Sequence, residues 1–331
     1  MKKLLFTLSI FVLTGCEKVF FEANPRTDNL AVYDYFLDDF KNTYALFKLK
    51  GINPDTLGNA FRKQITANTS QKELFDKMAK ILDMCKDGHN SIKSPFGVYT
   101  YDFWSKAPAN DQVNLSNYVN FGPAQGIIEY RSMKEPDLGY VNIKSFDGSA
   151  SDFEKIDDAL ATLGNKKGLI IDVRSNGGGN SENSEIVASR FATKALVYGK
   201  VIAKIGKGKN DFSEWIDTKI APAGKAQYLK PVVILTNRRS FSSTEIFTMI
   251  MQNFPNVAVV GDTTGGGMGN PTTRELPNGW LYRASSKQRE RANGAIIEGK
   301  GIYPNVAIWN TPKDVQQGRD RILEKAIELL K

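Results

Sequence analysis

The sequence is poor in the residues that build metal sites and disulfide frameworks. Its 331 residues include one histidine and two cysteines. A single imidazole excludes any site that needs two or more histidines, such as the HExxH zinc proteases and the three-histidine zinc centres. Two cysteines cannot form a disulfide framework. No cofactor motif is visible, so we expect neither a metal nor a cofactor.

Neither charge nor composition is extreme. The chain has 28 glycines and 13 prolines, which excludes a collagen-like or low-complexity chain. Its net charge is +8. One lysine-rich stretch has the spacing of a solvated hairpin and not that of a groove that follows phosphates. It contains Lys200, Lys204, Lys207 and Lys209. We therefore expect no nucleic-acid partner.

The first residues have the pattern of an export signal. Two lysines precede an apolar run from Leu4 to Leu13, which is too short to span a bilayer but suits a secretory segment. The following Leu13-Thr14-Gly15-Cys16 resembles a bacterial lipobox, in which Cys16 is acylated and becomes the new N-terminus. The alternative is a plain signal peptide with an incidental cysteine. We predict a lipoprotein signal peptide over 1–15, a tether over 16–27 and a lipid-anchored protein of the cell envelope, on its periplasmic or surface face.

Residues 28–90 are predicted to form a small helical module. Apolar residues recur at helical spacing from Asp28 to Leu49, and a weaker helical pattern covers Asp55 to Ile65. A third helix begins at Ser70, which forms a capping box with Glu73, and is expected to end near Gly88.

Residues 91–331 show the alternation of an α/β domain. Short continuous apolar runs at 140–143, 168–173 and 231–235 are typical of strands covered on both faces. Helical patterns at 151–163, 183–192 and 244–252 separate or follow them, and an amphipathic helix is predicted over 315–330. This order indicates βαβ units.

Two loops that follow predicted strands could carry chemistry. The first contains Gly177, Gly178 and Gly179, whose uncovered amides could hold an anion or oxyanion; a flexible connector is the alternative. The second contains Ser240, Ser242 and Ser243 before a helix, where a nucleophile would benefit from backbone donors.

Each of these motifs also has an alternative interpretation. Serine is also a favoured helix N-cap, and spacing does not choose among the three serines. His89 is the natural general base, although a lone histidine can equally be structural or exposed. The glycine-rich stretch Gly265–Gly269 lacks the Gly-Lys-Ser/Thr of a phosphate-binding loop.

Together these motifs resemble the tail-specific (C-terminal processing) serine peptidases and their tricorn-core and interphotoreceptor-retinoid-binding relatives. The similarity covers roughly residues 70–310. It implies a ClpP/crotonase-like stack of ββα units, and residues 92–137 are too few for the usual full PDZ domain. The matching blocks are Asp87–His89, Gly168–Gly179, Ser240–Phe247, Gly261–Gly265 and Glu298–Pro304.

The resemblance implies roles for individual residues. The family's nucleophile aligns with Ser242, whereas the lysine of its Ser–Lys dyad aligns with Gly267. The tricorn-like branch uses a histidine and a glutamate, which correspond to His89 and Glu298. Gly88 replaces the serine before that histidine, so Glu298 or Asp87 would have to orient the imidazole directly or through water.

The oxyanion would be held by the amide of Gly178 or Gly179 and by that of Ser243. Two functions then compete. One is a lipid-anchored serine endopeptidase that acts on peptides or unfolded proteins through an acyl-enzyme. The other is an inactive peptide- or ligand-binding protein on the same scaffold.

Overall fold

The computed structural model describes residues 27–66, 68–101, 113, 115–120, 126–208 and 210–331. The predicted signal peptide and Cys16 lie outside these residues, as do 102–112, 114 and 121–125 of the stretch in which the sequence predicts no full PDZ domain. None of the helices in the described ranges is both long enough and apolar enough to cross a membrane.

Three helices begin the described chain: α1 (Asn29–Thr43), α2 (Pro54–Arg62) and α3 (Gln71–Met84). The predicted capping box of Ser70 and Glu73 is present at the start of α3. The predicted continuation of α1 to Leu49 is wrong. The amide of Ala45 donates to the carbonyl of Ser285, so the chain leaves the helix to contact a strand from far along the sequence.

That strand belongs to a four-stranded antiparallel sheet in the order β10-β11-β1-β2. Its members are β1 (Ser91–Ser94), β2 (Gly97–Thr100), β10 (Pro271–Glu275) and β11 (Leu281–Ser285). Side chains of β11 and its flanking turn, including Trp280 and Tyr282, share one apolar core with α1, α2 and α3. The segment that contains β10 and β11 therefore packs with the helical module.

A six-stranded sheet forms the centre of the molecule, in the order β13-β9-β8-β5-β4-β3. All neighbouring pairs are parallel except β3 with β4. The strands are β3 (Ile128–Ser132), β4 (Gly139–Ile143), β5 (Leu169–Asp172), β8 (Val232–Thr236), β9 (Val257–Gly261) and β13 (Val306–Ala307).

Helices cover both faces of this sheet, which explains the continuous apolar runs. On one face lie α4 (Ala150–Glu154), α5 (Ile156–Leu163), α6 (Ser181–Ala188) and α7 (Ser243–Met251), which bury Leu169 and Ile171. The amphipathic α9 (Arg321–Leu330) covers Ile170 on the other face. The predicted α/β core with an N-terminal helical module is confirmed.

A third sheet flanks the core. It consists of β6 (Leu196–Ala203), β7 (Ile216–Ile220) and β12 (Lys287–Arg291), in the order β12-β6-β7. Lys200 lies on β6, and Lys204 and Lys207 lie in the segment that leads to β7, whereas Lys209 is outside the described residues. The lysine-rich stretch is thus part of an antiparallel hairpin.

Two predicted helices are interrupted. The helix predicted over 151–163 is divided between α4 and α5 at Lys155. The helix predicted over 315–330 is divided into α8 (Pro312–Gln316) and α9, because Gly318 adopts a φ of 68° and Asp320 caps a new helix.

Candidate active site

Ser242 lies at a sharp turn between β8 and α7. Its φ is 58° and its ψ is −120°, a conformation that costs a residue with a side chain about 1–3 kcal/mol. The turn is packed closely against the glycine loop after β5, since a Cβ added to Gly178 would lie 2.8 Å from Cβ of Ser242. The strained backbone of Ser242 therefore lies where its turn contacts the glycine loop.

The buried carboxylate of Glu245 holds this turn in place. It accepts hydrogen bonds from the amide of Ser242 at 3.0 Å, from those of Gly266 and Gly267 at 2.7 Å and from the hydroxyl of Thr264 at 2.6 Å. Burial raises the pKa of Glu245. Sequence reasoning gave this residue no role, although Ser242 and Glu245 have the spacing of a capping box.

His89 meets Ser242 although the two residues are far apart in the sequence. Nε2 of His89 lies 3.1 Å from Oγ of Ser242, which is within hydrogen-bond distance. The amide of His89 donates to Oδ1 of Asp87 at 2.9 Å and so fixes the turn that carries the imidazole. The structure thus brings together the two side chains that the sequence proposes as base and nucleophile.

Burial lowers the pKa of His89 from 6.5 to about 4. The cationic side chains of Arg283 and Lys50 act in the same direction, whereas the carboxylate of Asp87 opposes them. The imidazole is consequently neutral at neutral pH, which is the form that accepts a proton.

Asp87 is the carboxylate nearest the other ring nitrogen. Its Oδ1 lies 4.0 Å from Nδ1 of His89, which is too far for a hydrogen bond. Nδ1 has no hydrogen-bond partner within the described part of the chain. Asp87 therefore acts on the imidazole through its charge.

Glu298 lies in the buried region beside Lys50 and Asp87. Its Oε2 accepts a hydrogen bond from the amide of Met268 at 2.8 Å, and its Oε1 lies 3.4 Å from Nζ of Lys50. No hydrogen bond joins it to His89 among the described residues. Burial and the neighbouring Asp87 raise the pKa of Glu298 to about 8, although Lys50 lowers it. A direct hydrogen bond from Glu298 to the imidazole, one of the arrangements that the sequence left open, is therefore not present among the described residues.

The structure distinguishes between the two candidate oxyanion glycines. The amide of Gly178 donates to Oδ1 of Asn176 at 2.9 Å, so it is already engaged. The amides of Gly179 and Ser243 have no acceptor within the described residues. The hydroxyl of Ser243 donates to the carbonyl of Gly179 at 2.6 Å and ties the two loops together.

The ring of Phe241 fills the space that a side chain at position 267 would need. A Cβ added to Gly267 would overlap the ring carbons of Phe241. The same ring lies against the imidazole of His89, with a centroid separation of 4.7 Å. A long side chain at position 267 therefore has no room, in agreement with the departure from the Ser–Lys pattern.

Lys50 reaches the site from the turn after α1, and no motif in the sequence could have identified it. Its Nζ donates to the carbonyl of Lys86 at 3.1 Å besides facing Glu298. Lys50 and Glu298 line a cavity of about 460 Å³ together with Gly88 and Phe241. The cavity therefore adjoins both segments that carry the reactive pair.

Comparison with protein families decides the assignment. The model of the family described as Peptidase family S41 matches residues 137–308. The chain belongs to peptidase family S41. The predicted resemblance to the C-terminal processing peptidases is thereby confirmed. The matched segment of this chain includes Ser242 and Glu298, whereas His89 and Lys50 precede it.

Curated relatives include a "Probable CtpA-like serine protease" from Staphylococcus aureus (strain COL). It is 31% identical over 186 residues, which are 56% of this chain and 36% of the relative. A protein of the same name from Staphylococcus epidermidis has the same identity and coverage. The matched region thus spans about a third of the length of these relatives.

Solved structures extend the similarity to nearly the whole chain. A candidate peptidase from Parabacteroides merdae is 34% identical, with a TM-score of 0.81 over 93% of this chain and 97% of that one. Mature CPAF complexed with lactacystin is 14% identical, with a TM-score of 0.71 over 92% of this chain and 98% of that one. The tricorn protease is 13% identical, with a TM-score of 0.59 over 92% of this chain and 36% of that one. The last two show a shared fold alone.

Proposed function

We propose that this S41 family member is a serine endopeptidase that cleaves peptide bonds through an acyl-enzyme. Ser242 is the nucleophile and His89 is the general base. The observation that carries the proposal is the 3.1 Å separation between Nε2 of His89 and Oγ of Ser242. This distance allows proton transfer as the hydroxyl attacks.

In the first step Oγ of Ser242 attacks the peptide carbonyl carbon while His89 takes its proton. The negative charge that develops on the carbonyl oxygen is held by the amides of Gly179 and Ser243. Ser243 is the first residue of α7, where the helix dipole also favours an anion. Asp87 stabilises the imidazolium by its charge at 4.0 Å.

The tetrahedral intermediate collapses as His89 returns the proton to the leaving amine. Water then attacks the acyl carbon, with His89 again acting as base, and releases Ser242. Glu298 acts at longer range. Its carboxyl shares the buried region with Asp87 and Lys50, so its ionisation alters the field in which the imidazolium forms.

The substrate is a peptide or an unfolded protein, since the nucleophile must approach a backbone carbonyl. Incubation of the protein with an unfolded casein, followed by mass spectrometry of the products, tests this directly. We expect internal cleavage that continues in the presence of a metal chelator and is absent from the Ser242→Ala variant. Peptide binding without cleavage by the wild type would instead favour the inactive, ligand-binding alternative.

The pH dependence follows from the environment of His89. Because burial lowers the pKa of His89 to about 4, the fraction of neutral base hardly changes between about pH 7 and about pH 5. We expect kcat/KM to be nearly constant over this range and to decrease as the pH falls through about 4. A decrease centred near pH 6.5, measured with an uncharged peptide substrate, would contradict the buried, neutral imidazole.

We further propose that the protein is a lipid-anchored lipoprotein of the cell envelope. The support is the lysine-led apolar run that ends in Leu13-Thr14-Gly15-Cys16. Metabolic labelling with an alkyne fatty acid tests the proposal. Label is expected on the wild type and on Cys85→Ser, whose substituted thiol is buried, and is expected to be lost in Cys16→Ser. Label that persists in Cys16→Ser would contradict the anchor.

A further inference from the structure

The ring of Phe241 lies between Gly267 and the imidazole of His89, which no hydrogen bond connects. On one side it fills the space above Gly267, where an added Cβ would overlap Cζ and Cε2 of the ring. On the other side it contacts the imidazole of His89, with an angle of 43° between the ring planes. Phe241 itself is buried, so its position is fixed by packing.

The imidazole needs such support. Its Nε2 contacts Ser242, but its Nδ1 has no hydrogen-bond partner in the ranges that the structure describes. The bond from the His89 amide to Asp87 fixes the backbone and does not restrain the rotation of the ring about its side-chain bonds. The tilted contact with the ring of Phe241 therefore restrains the direction in which Nε2 points, in addition to the contact with Ser242.

We infer that Phe241 is a positioning residue that holds the imidazole of His89 in the orientation in which it acts as base. The ring can lie there because residue 267 is a glycine, and it leaves no room for a lysine at that position. The inference rests on the proposed function. In the proposed mechanism Ser242 supplies the nucleophile and the amides of Gly179 and Ser243 hold the oxyanion, so Phe241 acts through the imidazole that it contacts.

Packing by Phe241 also keeps water from the imidazole. The charged groups that face His89 are Asp87, Arg283 and Lys50, and their effects oppose one another, while burial is the largest cause of its low pKa. A smaller side chain at position 241 would admit water and reduce the effect of burial on the pKa of His89. The pKa of His89 would then move back toward 6.5.

The chain offers an unusually direct probe, because His89 is its single histidine. In a protein free of added histidines, the imidazole gives one set of NMR signals that needs no assignment by mutation. For the wild type we expect no titration of these signals between about pH 5 and about pH 8. For Phe241→Ala we expect a midpoint inside this range, and a loss of about a hundredfold in kcat with KM changed little.

Two further variants separate positioning from general destabilisation. Phe191 is a buried phenylalanine that packs on Tyr228 in the main core. Phe191→Ala is expected to lower the thermal midpoint as Phe241→Ala does, while the His89 signals remain as in the wild type. Phe241→Leu, which keeps much of the volume, is expected to recover part of the lost kcat.

A double-mutant cycle tests the link to Gly267, whose φ is outside the left-handed region, so that alanine is tolerated by the backbone. Gly267→Ala alone should lower kcat, since its methyl group displaces the ring. In the Phe241→Ala background the same change should have little further effect. Equal losses in both backgrounds would overturn the proposed pairing.

The NMR result does not depend on turnover. If the wild type cleaves no peptide, the proposed function fails, yet a shifted His89 titration in Phe241→Ala still supports the positioning role. If Phe241→Ala leaves both the titration and kcat unchanged, the positioning role is overturned while the peptidase assignment stands.

Discussion

Replacement of Ser242 by alanine is expected to lower kcat on the order of 10⁶-fold while the protein remains folded. The hydroxyl that attacks the carbonyl is lost, and the neighbouring amides of Gly179 and Ser243 remain to bind the oxygen. Substrate affinity should therefore change little. The measurement is single-turnover cleavage of a peptide by purified wild type and variant, with circular dichroism as the check of folding.

His89→Ala is expected to lose about 10²- to 10⁴-fold or more, because a serine without a base is a weak nucleophile. The two residues act as one unit, so the double variant should be no worse than Ser242→Ala alone. Independent, multiplicative losses would contradict a shared proton-transfer step.

Ser240→Ala provides the matched control from the same loop. The buried hydroxyl of Ser240 donates to the carbonyl of Val173 at 2.8 Å and accepts from the amide of Asn237 at 3.1 Å. Its removal should lower the free energy of unfolding by about 1–3 kcal/mol and reduce kcat by less than about tenfold. If folded Ser240→Ala is as inactive as Ser242→Ala, the choice of nucleophile is wrong.

The second large effect concerns stability. Arg174 is completely buried and bonds Asp172 at 2.6 Å and Asp320 at 2.8 Å. Arg174→Met would leave two buried carboxylates without their cation, and we expect the free energy of unfolding to fall by about 3–5 kcal/mol. Chemical denaturation at neutral pH measures this loss.

The network explains why this cost is high. Asp172 also accepts a hydrogen bond from the hydroxyl of Tyr140 at 2.8 Å, and Asp320 caps α9. Arg174 therefore joins the end of β5, just before the glycine loop, to the C-terminal helix.

The exposed pair of Arg62 and Asp34 supplies the control for Arg174. Their side chains are 37% and 47% exposed, and Arg62→Met should cost less than about 1 kcal/mol. Equal losses for Arg62→Met and Arg174→Met would contradict the buried network.

The reactive loops could be predicted from the sequence because their signals are local. The apolar runs identify β5 and β8 as strands covered on both faces, and these two strands are parallel neighbours. Their carboxyl ends therefore meet at one edge of the sheet, which brings the glycine loop to the serine loop. The turn residues that directly follow the two buried strands are therefore sufficient to predict this part of the site from the sequence.

The choice among the serines needed more than local pattern. The resemblance selects Ser242, and the structure gives the physical reason. The hydroxyls of Ser240 and Ser243 are used in bonds to the carbonyls of Val173 and Gly179, whereas that of Ser242 faces His89.

The resemblance supplied the long-range pair of His89 and Ser242, but the other long-range contacts of the site could not be predicted. Nothing in the local pattern places Lys50 beside Glu298, or Asp87 nearer than Glu298 to the imidazole. The same holds for the end of α1, which is decided by a hydrogen bond between Ala45 and Ser285. Such contacts depend on how the helical module packs against β11, which no periodicity encodes.

The most direct test of the central claim is the rate at which a peptide phosphonate modifies the protein, followed by intact mass and peptide mapping. The wild type is expected to gain one adduct, on the peptide that contains Ser242. His89→Ala should form the same adduct about 10²- to 10⁴-fold more slowly. An adduct on another serine, or an equal rate in the two proteins, would contradict a nucleophile activated by His89.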